Sequence, residues 1–211
     1  VKKIVFALSF LVASSGCGGS SGGSGGSFVS QESQVNLSSY YNQSGFFPDG
    51  STYSQSLGFD LNGWSFSSTE LGTQLAYDGF NFTLGSASTN DVISCSANSQ
   101  TISLPSGNYS KLLILASAIG FGTSQVTLEV DYTDSTSTSF TQNFSDWVNT
   151  ATEVGQTVVK ATTHRNFYDG TADTNPAYVY GYSFSLDKGK TASTLKLPIS
   201  QVRILAIAVI P

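Results

Sequence analysis

The chain has 211 residues, a formal charge of −5, 12% aromatic residues and only 11% charged ones, where ordinary globular chains carry about 25% charged residues. Serine, threonine, asparagine and glutamine fill the polar positions instead, so the surface is hydrated but weakly charged. No basic cluster follows the first few residues, which excludes the electrostatic footprint of a nucleic-acid binder.

In chain order, Lys2 and Lys3 precede an apolar run over residues 4–13. A basic start, an apolar run and small residues before a cleavage point make a secretory signal. The run is far shorter than the roughly 20 residues a bilayer-spanning helix needs. Ser14-Ser15-Gly16-Cys17 resembles the lipobox of bacterial lipoproteins, in which the leader is cut before a cysteine that is then lipidated. Glycines and serines fill residues 18–27, a flexible tether. The expected organisation is a lipoprotein signal peptide over 1–16, a tether over 17–27 and one domain over 28–211. Loss of Lys2 and Lys3 with the leader would make the charge two units more negative. The other reading is an ordinary secretory signal cut between Ala13 and Gly16, with Cys17 incidental. The lipobox resemblance implies a bacterial cell envelope, with the membrane touched only through the lipid. Gly18 stands where an Asp would imply inner-membrane retention, so the expected location is the outer membrane, periplasmic or surface-exposed. Secretion is the alternative.

The remaining residues read as strands. Gln74 to Tyr77 and Phe80 to Leu84 flank Asp78-Gly79, and Asp-Gly between alternating apolar residues predicts a type I′ hairpin. Leu112 to Ala116 is apolar on both faces, as a central strand covered on each side requires. Val126, Leu128, Val130 and Tyr132 alternate with polar residues, the period of a half-buried strand. A turn at 133–136 returns the chain through Thr138 to Phe144. Tyr178, Tyr180, Tyr182, Phe184 and Leu186 share one face of a further strand, and Leu195 and Leu197 face the core from a short one. Ile204 to Ile210 is again apolar on both faces and must lie inside a sheet, since an exposed edge of that kind invites aggregation. Many short strands, Gly- and Asn-rich turns and no apolar run at helical spacing predict an all-β antiparallel two-sheet sandwich of jelly-roll type without substantial helix. Cys95 would have no disulfide partner if Cys17 carries lipid, and one thiol builds neither a zinc site nor a redox pair.

The order of several fragments is similar to that in a known family. Asp60-Leu61-Asn62-Gly63-Trp64-Ser65-Phe66 leads to Tyr77-Asp78-Gly79-Phe80-Asn81-Phe82. Ile102-Ser103-Leu104-Pro105, Tyr109 to Ala116 and Ser145-Asp146-Trp147 follow. Tyr180-Gly181-Tyr182-Ser183-Phe184 and Leu195-Lys196-Leu197-Pro198 close the series. Over roughly residues 35–211 this resembles the galactose-binding-like β-sandwich modules appended to secreted glycosidases. The resemblance implies a jelly roll and binding of a glycan or polysaccharide. No catalytic domain accompanies the module, so it would act as an anchor, a capture protein or a wall component.

Sugar binding needs aromatic faces for the C–H surface of a ring and a few polar groups for its hydroxyls. Phe46, Phe47, Trp64, Trp147 and Tyr168 are the candidate platforms, with a core role as the competing reading for both tryptophans. Asp60 and Asn62 before Gly63 could hold a structural calcium ion, or serve only as turn residues that cap their own backbone. No other cofactor is expected. An enzyme is hard to assemble. His164, the sole histidine, lies in the polar stretch 162–166, where a plain loop or strand-end role suffices. No Gly-x-Ser-x-Gly elbow occurs in the domain, and the carboxylates Asp49, Glu70, Asp91, Glu129, Asp131, Asp146 and Asp169 are scattered. The leading expectation is a non-catalytic carbohydrate-binding module. A structural or adhesive cell-surface protein that binds another protein is the alternative, and a glycoside-acting enzyme the third reading.

Overall fold

The structure, a computed structural model, describes residues 31–149 and 153–211. The leader, Cys17 and the tether assigned from sequence lie outside these residues. The strands begin with β1 Ser33–Gln34, β2 Phe46–Phe47 and β3 Trp64–Ser67, followed by a single helical turn, α1 Ser68–Leu71. The hairpin β4 Gln74–Tyr77 and β5 Phe80–Thr83 comes next, then β6 Ile93–Ser94 and β7 Gln100–Gly107. The long strands β8 Lys111–Ala118, β9 Ser124–Tyr132 and β10 Ser137–Phe144 occupy the middle. The short β11 Gln156–Ala161, β12 Arg165–Phe167 and β13 Ala172–Asp173 precede β14 Tyr178–Ser185, β15 Ala192–Leu197 and β16 Val202–Ile210. No helix among the described residues is long and apolar enough to cross a membrane.

Two antiparallel sheets stack as the sandwich that the sequence predicts. One runs β1-β16-β8-β14-β11, with β6 also paired to β16; the other runs β10-β9-β15-β7. Ile114, Tyr180, Tyr182 and Ile207 of the first meet Ile102, Leu128, Val130 and Leu195 of the second in a buried core. The alternation along β9 puts Val126, Leu128, Val130 and Tyr132 inside, as expected. Buried tyrosine hydroxyls need partners. Tyr180 Oη donates to the Asn149 carbonyl at 2.6 Å, and Tyr182 Oη accepts the Ser145 N–H at 3.1 Å.

A third layer covers the other face of the larger sheet. β8 is buried from Leu112 onward and β16 up to Val209. A two-sheet sandwich hides only one face of such strands, so a second cover is required. It comes from the small sheet β13-β12-β3-β2 and from the hairpin β4-β5. Phe46, Phe59, Phe66, Phe82 and Trp147 pack there against Leu113, Leu115, Leu205 and Ala206. A register shift between Ile204 and Ala206 in the β16–β8 ladder marks a bulge at Leu205, which turns Leu205 and Ala206 toward the same cluster.

The hairpin forms where Asp78-Gly79 predicts it, with φ of 46° and 81° at the two residues. Its Tyr77 ring lies so close to β14 that a Cβ at Gly181 would stand 2.6 Å from Tyr77 Cδ2. The turn α1 is capped by Ser67, whose Oγ accepts the Glu70 N–H at 3.2 Å. The Ser-x-x-Glu spacing at 67–70 is the sequence sign of that cap.

Candidate functional site

Two loops at one end of the sandwich form a cleft, and each is held by a carboxylate. The first loop joins residue 57 to β3. The Gln43 side-chain amide donates to the carbonyls of Gly58 and Phe59, both at 2.7 Å. Gly58 has φ 97°, and a Cβ there would sit 2.5 Å from the Trp64 carbonyl, so no other residue fits. Asp60 Oδ1 accepts the N–H groups of Asn62 at 2.8 Å and Trp64 at 3.2 Å. Leu61 between them is left at φ 63°, a costly conformation for a side chain of that kind, and is 41% exposed.

The second loop follows β8. Ile119 N–H is bonded to the Gln201 carbonyl at 3.0 Å, and Thr123 Oγ1 to Glu153 Oε1 at 3.0 Å. Asp146 Oδ2 accepts the Phe121 N–H at 2.7 Å, and Oδ1 accepts the Val148 N–H at 2.9 Å. Phe121 has φ 64° and is 82% exposed. Asp146 itself is 1% exposed, fixed by a parallel bridge to Ala118 at the end of β8.

Between the loops lies a cleft of about 180 Å³, lined by Asp60, Asn62, Trp64, Phe121, Asp146 and Arg165 among others. Arg165 on β12 forms its base. Its guanidinium stands 4.5 Å from the Trp64 ring centre and 5.3 Å from that of Trp147. Nε donates to Asp173 Oδ1 at 3.3 Å, and Nη2 bonds Asp173 Oδ2. Burial pushes the carboxyls of Asp60 and Asp146 above their ordinary value, although backbone N–H bonds and the nearby Arg165 charge pull the other way. Arg203 is fully buried on β16, with Nε and Nη2 unpartnered among the described residues. Burial lowers its pKa to about 10, while Cys95 and Asp60 favour its charge. A wider depression of about 470 Å³ is lined by residues such as Gln34, Tyr41 and Thr89, but no charged side chain among the described residues borders it. The smaller cleft has the polar groups that could orient a ligand.

The sequence candidates scatter. Trp64 borders the cleft, half-buried, with Phe167 4.3 Å away and Arg165 over its face. Tyr168 is also half-buried, its ring edge-on to Phe167 at 4.6 Å. Phe46 and Phe47 are corrected from exposed platforms to core residues, and Trp147 takes the core role that was its competing reading. The third layer buries them: Phe47 stacks on Tyr53 at 3.7 Å, Phe46 meets Phe66 edge-on, and Trp147 packs against Phe59 and Phe66. Asp60 and Asn62 close a turn on their own backbone, with Asn62 Nδ2 donating to the Asp60 carbonyl at 3.1 Å. Among the described residues no three His, Cys, Asp or Glu side chains converge as metal ligands. Cys95 is free and buried, and burial raises its thiol to about 11, which suppresses thiolate chemistry. Phe121, Asp146 and Arg165 were not singled out as binding residues. The Gly120-Phe121-Gly122 context is the signal that could have found the first, since glycines on both sides mark a sharp loop.

His164 lies between two acids away from the cleft. Nε2 is 3.2 Å from Asp49 Oδ1 and Nδ1 is 3.1 Å from Glu70 Oε1. Thr163 also bonds Glu70 through its N–H and hydroxyl. Burial alone would raise both carboxyls; hydrogen bonds from Ser67, Asn166 and His164 to Asp49, and from Thr163 to Glu70, hold them below their usual values. The cluster fastens the start of β12 to α1 and to the turn after β2.

No curated protein matches the chain. A family model described as the AziU2-like beta-sandwich domain matches residues 31–211, the stretch that folds as the layered sheets above. The chain therefore belongs to the AziU2-like beta-sandwich domain family.

Proposed function

We propose that the protein is a non-catalytic glycan-binding module of the galactose-binding-like jelly-roll kind. In this reading it is exported and held by lipid on Cys17 at a bacterial outer membrane. The cleft at the loop end carries the proposal. It sets aromatic surface from Trp64 and Phe121 beside Asp60, Asn62 and Arg165, a combination of apolar wall, acceptors and donors that suits ring hydroxyls. The ring contacts of Trp64 with Phe167 and Arg165 leave Phe121 as the more accessible of the two. The low surface charge is consistent with an uncharged polymer.

Two other readings each have one observation in their favour. A protein partner is favoured by three exposed apolar residues, Phe121, Val154 at 93% exposure and Ile199 at 64%. Hydrolysis is favoured by Asp60 and Asp146 lining one cleft. Against it, Asp146 is enclosed and its two oxygens are engaged by backbone N–H groups, whereas a general acid must reach the leaving oxygen. Retention of the purified chain on cell-wall and plant polysaccharides tests the glycan reading. The expected result is retention that Phe121→Ala and Asp60→Ala both weaken. Absence of retention on every polymer overturns it.

A further inference from the structure

The cleft is unbalanced in charge. Asp60 and Asp146 line it, Asp173 takes two bonds of the Arg165 guanidinium, and all three carboxylates share that cation. Arg203 reaches Asp60 electrostatically, yet among the described residues it hydrogen-bonds only the Val202 carbonyl, at 3.5 Å. Three acids thus face two guanidiniums, one of which is walled off in the core. Burying a carboxylate without a full counter-charge is costly, and a cation that enters the cleft offsets that cost. Asp60 is the acid a ligand can reach: it is half-buried, both bonds it accepts from its neighbours fall on Oδ1, and Oδ2 takes no hydrogen bond from another of the described residues. Phe121 adds an exposed aromatic face, which attracts cations as well as C–H surfaces.

We infer that the cleft selects an amino sugar, with the protonated amine paired to Asp60, the ring against Phe121, and Asp146 acting through its field and through the loop it holds. The inference rests on the glycan reading and narrows it. An amine brings the carboxylates that line this cleft a positive charge, which a neutral acetamido group does not.

The test compares three tetrasaccharides on the full chain by titration calorimetry: glucosamine, N-acetylglucosamine and glucose oligomers. The glucosamine oligomer should bind about tenfold tighter or more than either of the others, as one added charge-assisted contact implies. The advantage should shrink as salt is raised, because the cleft opens to solvent. Asp60→Asn keeps an oxygen for the Asn62 and Trp64 N–H groups, so the loop should persist while the glucosamine oligomer loses its advantage over the other two. Far-UV and near-UV spectra of the variant establish that it is folded. Equal binding of all three oligomers overturns the inference and leaves the glycan reading standing. Binding of a lysine peptide with no oligosaccharide bound overturns both in favour of a protein partner. No binding of any probe overturns the inference, and the glycan reading is then decided by retention on the wider set of polysaccharides.

Discussion

Asp146 accepts the backbone N–H of Phe121 at 2.7 Å, so one of the most enclosed acids in the domain holds out one of its most exposed rings. The carboxylate cannot be traded for an apolar group without freeing N–H donors inside a packed loop.

Asp146→Ala should therefore lower stability by about 1–3 kcal/mol, the usual cost of leaving buried polar partners unmade. Urea unfolding measures it. A loss under about 0.5 kcal/mol, the range of ordinary surface substitutions, would show that the loop does not depend on the acid.

Phe121→Asn should behave in the opposite way. Asparagine tolerates positive φ and the phenyl ring buries little, so stability should hold or rise by up to about 1 kcal/mol. Oligosaccharide binding should fall by about tenfold, the loss of one aromatic contact. Unaltered affinity would remove Phe121 from the site.

Gly181→Ala should cost about 1–3 kcal/mol through overpacking. The new methyl would meet the Tyr77 ring at three atoms, each within 2.7 Å. Hydrogen exchange should then speed up in β4 and β5 before β14 itself loosens. Uniform exchange across the sandwich would mean that the hairpin is not docked through this contact.

Asp91 sets a pH dependence. Burial raises its carboxyl from 3.8 to about 8, against the pull of the Gly45 and Phe46 N–H groups. The folded chain thus binds a proton that the unfolded chain has released, and stability falls as pH rises between those two values. Denaturant midpoints at pH 5 and pH 8 should show the decline, and Asp91→Asn should flatten it. A slope that survives the substitution would have to come from another group.

The main sandwich was legible because its signals are local. Leu112 to Ala116 and Ile204 to Ile210 are apolar on both faces, the β9 residues alternate, and Asp78-Gly79 dictates its own turn. The third layer was not legible, because β2, β3, β12 and β13 are two to four residues long and carry no period to read. That omission accounts for the misjudged aromatics: Phe46 and Phe47 stand in turn-like sequence, and only their place in the small sheet makes them interior. The cleft eluded the sequence for a related reason. Arg165 and Trp64 are a hundred residues apart in the chain and meet only because Phe167 pairs with Trp64 across the small sheet.

The ladder between β1 and β16 joins Ser33 to Val209, near the two extremities of the described chain. The central sheet therefore cannot close until almost the whole polypeptide has been searched. Folds ruled by such distant pairings form in about milliseconds to seconds, and the local hairpins β4–β5 and β9–β10 have time to appear first. While they wait, β8 lies bare on both faces, and refolding becomes a race between closure and clumping that dilution should decide.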